Sequence, residues 1–277
     1  MMKNNRDERD SRSIHDFRIK IEEIDKEIIE LLNHRFTISN RIFDLKKMEG
    51  ISIEDPLREK ELLNNLTSFK TDYQNEIHEV YQSIIQSSKK IQWNRLFPRY
   101  LFIIGFMGSG KSTLGKKMSE KLGFGYIDTD EVIEKKLGMT IESLFVKKGE
   151  SFFREMEKNV INNLYNNEKN HEKPIVVSCG GGLILDKDNQ EKMKKLGTII
   201  FLDVPPEIIY HRVKDRTHRP LLNAGQDLEK RIYHILEERY EIYQEVSDLA
   251  VPIHHETVEE SLSLIYQKAE EYFIGRS

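Results

Sequence analysis

The chain lacks the features that mark secreted and membrane proteins. Its 277 residues include a single cysteine, Cys179, which excludes an internal disulfide and suits a reducing compartment. The N-terminal stretch MMKNNRDERDSRS has no apolar core of the kind that a signal peptide needs. The most apolar run, YLFIIGFM, is far too short to span a bilayer. These absences predict a soluble cytoplasmic protein without a membrane partner.

An excess of one charge sign is also missing. Charged residues make up 32% of the chain, yet the formal net charge is only −4. A balanced surface of this kind gives no general attraction to nucleic acid or to a membrane. The length allows either one large domain or two ordinary ones.

Glycine and proline are nearly absent from residues 13–95, where only Gly50 and Pro56 occur. The apolar periodicity there is helical and predicts a long first helix at about 13–47 and a third at about 73–93. Between them, Asp55 suits the N-cap and Pro56 the first position of a shorter helix. We therefore predict an all-α, three-helix domain over residues 13–95, preceded by a disordered lead at residues 1–12.

After Pro98 the pattern changes to strands that alternate with helices. The predicted strands are YLFIIGF, GYID, IVVSC, TIIFLDV and LAVPI. Such alternation predicts an α/β domain over residues 98–277, with a parallel sheet and helices on both faces. The boundary between the two domains is predicted near residue 97.

A glycine-rich loop follows the first of these strands. GFMGSGKS, residues 105–112, has the P-loop spacing and stands between a predicted strand and a helix. Backbone N–H groups and the helix N-terminus would hold phosphates, with Lys111 on the outer phosphates and Ser112 on magnesium. The expected ATP-binding residues here are Gly105, Gly108, Ser109, Gly110, Lys111, Ser112 and Thr113. The loop alone does not choose the reaction, because many kinases and GTPases share it.

Two acidic residues follow the second predicted strand in the sequence DTD. Alternation would place Asp128 and Asp130 on one face of the strand end. Asp128 could then help to hold magnesium, and Asp130 could orient or deprotonate a hydroxyl. The plainer interpretation is a strand end with a helix cap at Asp130.

Further polar residues follow along the α/β half. In FFREMEKNVI, Arg154 and Glu157 have the spacing of an ordinary surface ion pair. The glycines at 180–182 predict either close approach to a ligand or a tight turn. Arg216 and Arg219 belong to a short basic loop that could close over phosphate or adenine. Arg239 lies on a late predicted helix.

Taken together, these motifs resemble shikimate kinase over nearly all of residues 98–277. They are GFMGSGKS, DTD, FFREME, CGGG, RPLL and ERYEIY, in that order. The resemblance implies phosphoryl transfer from ATP, with Mg2+, to the 3-hydroxyl of shikimate. Other small-metabolite kinases share the phosphate loop and stay the alternative for this half.

The same resemblance implies roles for individual residues. Arg154 and Arg239 would clamp the shikimate carboxylate, while Asp130 and the backbone around Gly181 would read its hydroxyls. Arg219 would meet the transferring phosphoryl group. Arg216 stands where the family often packs an arginine on adenine. The expected shikimate-binding residues are Asp130, Arg154, Gly180, Gly181, Gly182 and Arg239.

The first helix carries two cations within its apolar stripe. With Arg35 set at zero on a helical wheel, Ile42 falls at about −20° and Lys46 at about +20°. On the third helix, Ser88 and Gln92 also fall on the apolar face. Isolated charges among apolar groups are heavily penalised, so an anion is expected to meet them. A buried polar network, a dimer-register device and a snorkelling Lys46 are the structural alternatives.

Arg18 stands too far along the first helix to join the same ligand in one subunit. It precedes Arg35 by 17 residues, about 25 Å along the axis and about 100° around it. An antiparallel helix of a two-fold partner could bring it back to the site.

The spacing of these residues resembles the all-helical chorismate mutase family over essentially all of residues 13–95. The matching positions are Arg18, Arg35, Lys46, Asp55, Arg58, Glu59, Ser88 and Gln92. The resemblance implies an intertwined homodimer that rearranges chorismate to prephenate.

The family resemblance also implies a role for each of these positions. Lys46 and Gln92 would stabilise negative charge on the ether oxygen of the breaking bond. The reaction needs no nucleophile, metal or general base. Arg35 and Arg18 of the partner subunit would hold the two carboxylates, and Ser88 would contact one of them. The ring hydroxyl would meet Glu59 and the backbone near Asp55, with Arg58 in support. The alternative function for this half is a non-catalytic module that dimerises the kinase or senses chorismate or prephenate.

Overall fold

The computed structural model describes residues 14–66, 68–167, 173–214, 228–254 and 256–275. The predicted lead at residues 1–12 lies outside these ranges, as do Arg216 and Arg219. Among the residues described, no helix combines the length and apolarity that a membrane crossing requires.

Three helices form the N-terminal part, as predicted. They are α1 (Ile14–Glu49), α2 (Pro56–Leu66) and α3 (Gln74–Leu96). Gly50 adopts a left-handed φ of 69° directly after α1, and Pro56 opens α2. The third helix runs to Leu96, somewhat beyond the predicted end. The all-α prediction for this part is confirmed.

The C-terminal part contains the five predicted strands in one parallel sheet. The strands are β1 (Tyr100–Ile104), β2 (Gly125–Asp128), β3 (Ile175–Ser178), β4 (Gly197–Asp203) and β5 (Leu249–Pro252). The helices are α4 (Lys111–Leu122), α5 (Thr129–Leu137), α6 (Ile141–Asn166), α7 (Lys187–Leu196), α8 (Pro206–Val213), α9 (Leu228–Val246) and α10 (Val258–Ile274). The strand order is β2-β3-β1-β4-β5.

Side chains of the central strand β1 alternate between two cores. Leu101 and Ile103 belong to the core under α4 and α10, whereas Phe102 and Ile104 belong to the core under α6, α7 and α9. Both faces of the sheet are therefore covered by helices, as predicted. The strands on the two sides of β1 are connected in opposite directions along the sheet, so a crevice opens at the carboxyl end of β1. The phosphate loop lies at this crevice.

A buried aromatic cluster joins the three helices to the sheet domain. Trp93 of α3 stacks on Phe97 at 5.1 Å between ring centroids and packs against Tyr266 of α10 at the same distance. Phe97 in turn meets the edges of Phe124 and Phe273. The predicted boundary near residue 97 therefore falls at a shared core and not in an exposed linker.

The apolar stripe of α1 is only partly covered within one chain. Phe17, Ile24, Ile28 and Ile42 are between 47% and 54% exposed, and Phe43 is the buried residue of α1. The physical reason is length, since α1 has 36 residues and its neighbours α2 and α3 have 11 and 23. The burial that the sequence predicts for this stripe is thus incomplete in a single chain.

We predict that Phe97→Ala lowers the free energy of unfolding by about 3–5 kcal/mol, because it opens a cavity in the aromatic cluster. Phe69→Ala is the matched control, since Phe69 is 68% exposed and its loss should cost about 0.5 kcal/mol or less. Urea unfolding followed by the fluorescence of Trp93 measures both. Equal costs for the two variants would contradict a shared core.

Candidate functional site

The phosphate loop takes its shape from glycines between β1 and α4. Gly108 and Gly110 have φ values of 82° and 99°, a region that other residues avoid. A Cβ on Gly108 would also lie 2.6 Å from a methyl carbon of Val213. Lys111 is buried at the start of α4, and its Nζ donates a hydrogen bond to the Phe106 carbonyl at 2.8 Å. The loop is thereby closed around a buried cation.

Ser112 and Asp128 form the candidate magnesium pair. The Ser112 hydroxyl donates to Asp128 Oδ2 at 2.7 Å, directly beside the loop. Oxygen ligands in this number fit Mg2+, which usually takes one or two from the protein and the rest from phosphates and water. Among the described residues, no group of three or more His, Cys, Asp or Glu side chains is placed to hold a metal ion.

The second acid, Asp130, is not on a strand face as the alternation suggested. The chain turns into α5 at Thr129, so Asp130 lies in the first helical turn. The helix cap is Asp128, whose Oδ1 accepts from the backbone N–H groups of Asp130 and Glu131. The plainer interpretation was therefore right about a cap and wrong about which acid supplies it.

A cavity of about 500 Å³ lies over the phosphate loop. Residues 107–114 line it, together with residues from the start of α10 and with Arg212 at the end of α8. Arg212 Nη1 donates to the Ser109 carbonyl at 3.1 Å. Arg212 was not predicted from the sequence, because no motif marks it.

A second cavity of about 700 Å³ adjoins the first and shares with it Met107, Ser112, Asp128, Asp130 and Gly181. Arg154 of α6 and Arg239 of α9 also line it. The structure thus brings both predicted arginines and the predicted carboxylate to one cavity, next to the phosphate loop.

Arg154 belongs to a partly buried ion network. Its Nη1 donates to Glu157 Oε2 at 2.6 Å, and its Nη2 donates to Glu150 Oε1 at 2.7 Å. Glu157 is only 1% exposed, so this is not the ordinary surface pair that its spacing allowed. Burial raises the pKa of Glu157 to about 7, although the Arg154 guanidinium opposes the shift.

The glycines at 180–182 leave room for these side chains. A Cβ on Gly180 would lie 2.6 Å from Asp130 Oδ1, and one on Gly182 would lie 2.2 Å from Arg154 Nη1. The Tyr243 hydroxyl donates to the Gly181 carbonyl at 2.6 Å. Tyr243 was missed, although it follows Arg239 by four residues on α9 and so shares its face.

A second polar cluster lies between α1 and α3. Arg35 Nη1 donates to the Ser88 hydroxyl at 2.5 Å, and Gln92 Nε2 donates to Ser39 Oγ at 2.9 Å. Lys46 Nζ donates to the carbonyls of Ser52 at 2.9 Å and Ile53 at 3.1 Å. These acceptors for Arg35 and Lys46 are all uncharged, so the described contacts do not neutralise the two cations.

The other predicted positions of this cluster are more scattered. Glu59 pairs with Lys89 at 2.7 Å, and Asp55 caps α2 by accepting from the Arg58 N–H. The Arg58 side chain forms an exposed ion pair with Glu61 and does not join the cluster. Arg18 is exposed near the start of α1, remote from Arg35 on the same helix.

Comparisons with known proteins give a match for each of the two parts of the chain. Residues 107–270 match the family model described as shikimate kinase, and residues 17–93 match the one described as chorismate mutase type II. Shikimate kinase of Persephonella marina is 46% identical over 145 residues, which are 52% of this chain and 84% of the relative. That of Thermodesulfovibrio yellowstonii is 37% identical over 64% of this chain and 98% of the relative.

Solved structures give the same fold. Shikimate kinase from Acinetobacter baumannii in complex with shikimate has a TM-score of 0.59 and 29% identity, covering 68% of this chain and 98% of that one. Shikimate kinase from Aquifex aeolicus has a TM-score of 0.51 and 36% identity, covering 62% and 96%.

A phosphate loop after the central strand of a parallel sheet, with an acceptor cavity beside it, defines a P-loop phosphotransferase. The chain belongs to the shikimate kinase family and carries a chorismate mutase type II domain before the kinase. It is a bifunctional enzyme of aromatic biosynthesis, with shikimate kinase and chorismate mutase activities. The shikimate kinase family uses ATP.

We predict that Gly180→Ala lowers shikimate-dependent ADP release at least about ten-fold, because the added methyl displaces the Asp130 carboxylate. The φ of Gly180 permits alanine, but the added Cβ would also lie 2.8 Å from Oε1 of the buried Glu157, so the unfolding temperature should fall as well. Steady-state kinetics and a thermal melt on one preparation measure both. Unchanged kinetics would contradict the placement of Asp130 in the acceptor cavity.

Proposed function

We propose that the larger cavity binds shikimate and that the neighbouring cavity binds ATP. The observation that carries the proposal is the meeting of Arg154, Arg239 and Asp130 in a cavity that adjoins the phosphate loop. Planar guanidinium groups match a carboxylate bidentately, and a carboxylate suits hydroxyls. The complex of the Acinetobacter baumannii enzyme with shikimate supports this choice of ligand.

In the proposed reaction, the 3-hydroxyl oxygen of shikimate attacks the γ-phosphorus of ATP. Asp130 orients the hydroxyl and takes its proton, and the bond between the β–γ bridging oxygen and the γ-phosphorus breaks to release ADP. Lys111 exchanges its bond to the Phe106 carbonyl for the outer phosphates. Arg219, outside the described residues, stays the predicted contact for the transferring group, and Arg216 stays the predicted adenine contact.

Ser112 and Asp128 are the residues proposed to hold Mg2+. The ion would neutralise charge on the outer phosphates. Asp128 also caps α5, so it fixes the helix that carries Asp130. The pair is thereby held at the junction of the two cavities.

For the helical domain we propose a chorismate site around Arg35, Lys46, Ser88 and Gln92. Chorismate carries two carboxylates and develops negative charge on its ether oxygen, which would supply the countercharge that the described contacts of Arg35 and Lys46 lack. Lys46 and Gln92 would stabilise that charge, and Arg35 would hold a compact pose. Glu59 and the backbone near Asp55 are proposed for the ring hydroxyl, with Arg58 in support.

We further propose that two chains form a homodimer through α1. The half-exposed apolar side chains of this helix favour a covering partner, since a stripe this long would otherwise face water. An antiparallel second α1 would bring Arg18 of the partner subunit to the site of the first. A cytoplasmic location, consistent with the buried free thiol of Cys179, stays a prediction.

Shikimate binding is predicted to weaken as the pH rises through about 7. An arriving carboxylate beside Glu157 raises the pKa of that group further, so binding takes up a proton. The dissociation constant should therefore increase about two- to ten-fold between pH 6 and pH 8. Calorimetry over this range measures it, and Glu157→Gln should flatten the dependence. An equally steep profile in that variant would contradict the role of Glu157.

The same carboxyl group affects folding in the same pH window. The pKa of Glu157 is raised from 4.5 to about 7 in the folded chain. Its favourable contribution to the free energy of unfolding is therefore complete below pH 4.5 and is lost as the pH rises through about 7. Thermal unfolding is therefore measured at each pH as the control for the binding experiment.

Mixing two inactive variants tests the dimeric chorismate site. Lys46→Ala and Arg18→Ala should each lose chorismate turnover, whereas Lys47→Ala, which removes a neighbouring exposed charge, should keep it. A mixed dimer contains one wild-type site, so an equal mixture after subunit exchange should regain up to about one quarter of the unmodified activity. Chorismate absorbance follows the reaction.

No recovery in the mixture would overturn the shared site. Full turnover by Lys46→Ala would overturn the catalytic role of Lys46, whereas no turnover by the unmodified chain would favour the binding-module alternative for the helical domain.

A further inference from the structure

The junction between the two domains contains a loop that contacts both of them. The loop at 50–55 connects α1 to α2 and supplies both carbonyls that hold Lys46 Nζ. A carboxylate from the kinase domain holds this loop in turn. Ser52 Oγ donates to Glu270 Oε2 at 2.6 Å, and the Ile53 N–H donates to Glu270 Oε1 at 2.8 Å.

We propose that Glu270 is a positioning residue for the chorismate rearrangement, acting through the 50–55 loop on Lys46. The proposal rests on the role given to Lys46 above. It deepens that role by assigning part of the mutase site to a residue of the kinase domain, 217 positions beyond Ile53.

The contact has the geometry of a fixed support. Both carboxylate oxygens of Glu270 are used, each on a different residue of the loop, which restrains its position and its orientation. Ile53 is buried in the core that the two domains share, so the loop is fixed from its apolar side as well. The loop carbonyls therefore cannot shift without breaking one of these contacts.

Helix α10 supplies the rigidity behind Glu270. Ile265, Tyr266 and Ala269 of this helix are buried in the same core, and Tyr266 packs against Trp93 of α3. Because Ala269 immediately precedes Glu270, the carboxylate is presented from backbone that the kinase core fixes.

The consequence for Lys46 concerns its three ammonium protons. Two are directed to the Ser52 and Ile53 carbonyls, which leaves one for a ligand. A loose loop would let the ammonium group follow it away from the breaking bond. Donors placed before the reaction stabilise charge in the transition state without reorganisation. Loss of Glu270 should therefore lower kcat more than it alters KM.

The test compares full-length variants in chorismate turnover. Glu270→Gln should lower kcat about ten-fold or more with KM within about two-fold, since one of two strong acceptors is lost. Ser52→Ala leaves α10 intact and removes one hydroxyl, which donates to Glu270 and also accepts from the Glu54 N–H at 3.2 Å, so it should lower kcat in the same direction. The double variant should lose less than the product of the single losses, because both variants disturb the shared contact between Ser52 Oγ and Glu270 Oε2.

Two controls separate positioning from a general structural effect. Glu271→Gln removes the same charge from α10 at an exposed neighbour and should leave both activities unchanged. Shikimate kinase kcat, measured on every preparation, should stay within about two-fold of the unmodified value. A parallel fall of both activities in Glu270→Gln would overturn the proposal in favour of a role in folding.

The remaining outcomes distinguish this proposal from the one on which it rests. Loss of turnover in Lys46→Ala with full turnover in Glu270→Gln would overturn the role of Glu270 alone. Full turnover in Lys46→Ala would overturn both roles.

Discussion

The helical domain depends on two cations, Arg35 and Lys46, that are held close to apolar surface and whose acceptors among the described residues are uncharged. Arg35 contacts a hydroxyl, and Lys46 contacts two carbonyls. Such contacts fix the position of a charge without neutralising it, so a ligand that brings negative charge gains binding free energy. The kinase domain uses a related device, since the buried Lys111 is held by a loop carbonyl.

The two domains are linked more closely than a simple fusion would require. Trp93, Phe97 and Tyr266 form a continuous aromatic cluster, so α10 belongs to the kinase core and also packs on α3. The first residues of α10 line the cavity over the phosphate loop, and its later turns carry Glu270. A single helix therefore contacts the surroundings of both proposed sites. The two reactions share a structural element even though they act on different substrates.

Local sequence signals account for most of the fold and for part of the site. Helical periodicity, Pro56 and Gly50 located the three helices, and the alternation of strands and helices located the sheet. The P-loop was predictable because its glycines need backbone conformations that other residues avoid.

The rest depends on contacts between distant residues, which periodicity does not encode. The burial of Glu157 and the pairing of Glu270 with Ser52 arise only when separate elements pack together. Asp130 was misplaced on a strand because Asp128 ends β2 and caps α5, so alternation stops two residues earlier than expected. The exposed stripe of α1 reflects the unequal lengths of the helices, which spacing within one helix does not reveal.

The central claim is that chorismate supplies the negative charge that the contacts of Arg35 and Lys46 lack. Its most direct test is turnover of chorismate by the unmodified full-length chain. Chorismate absorbance and the formation of prephenate are followed on the same preparation that is assayed for shikimate-dependent ADP release. Both reactions are predicted to proceed, with chorismate converted to prephenate without ATP or a metal ion. An active shikimate kinase that leaves chorismate unconsumed would contradict it.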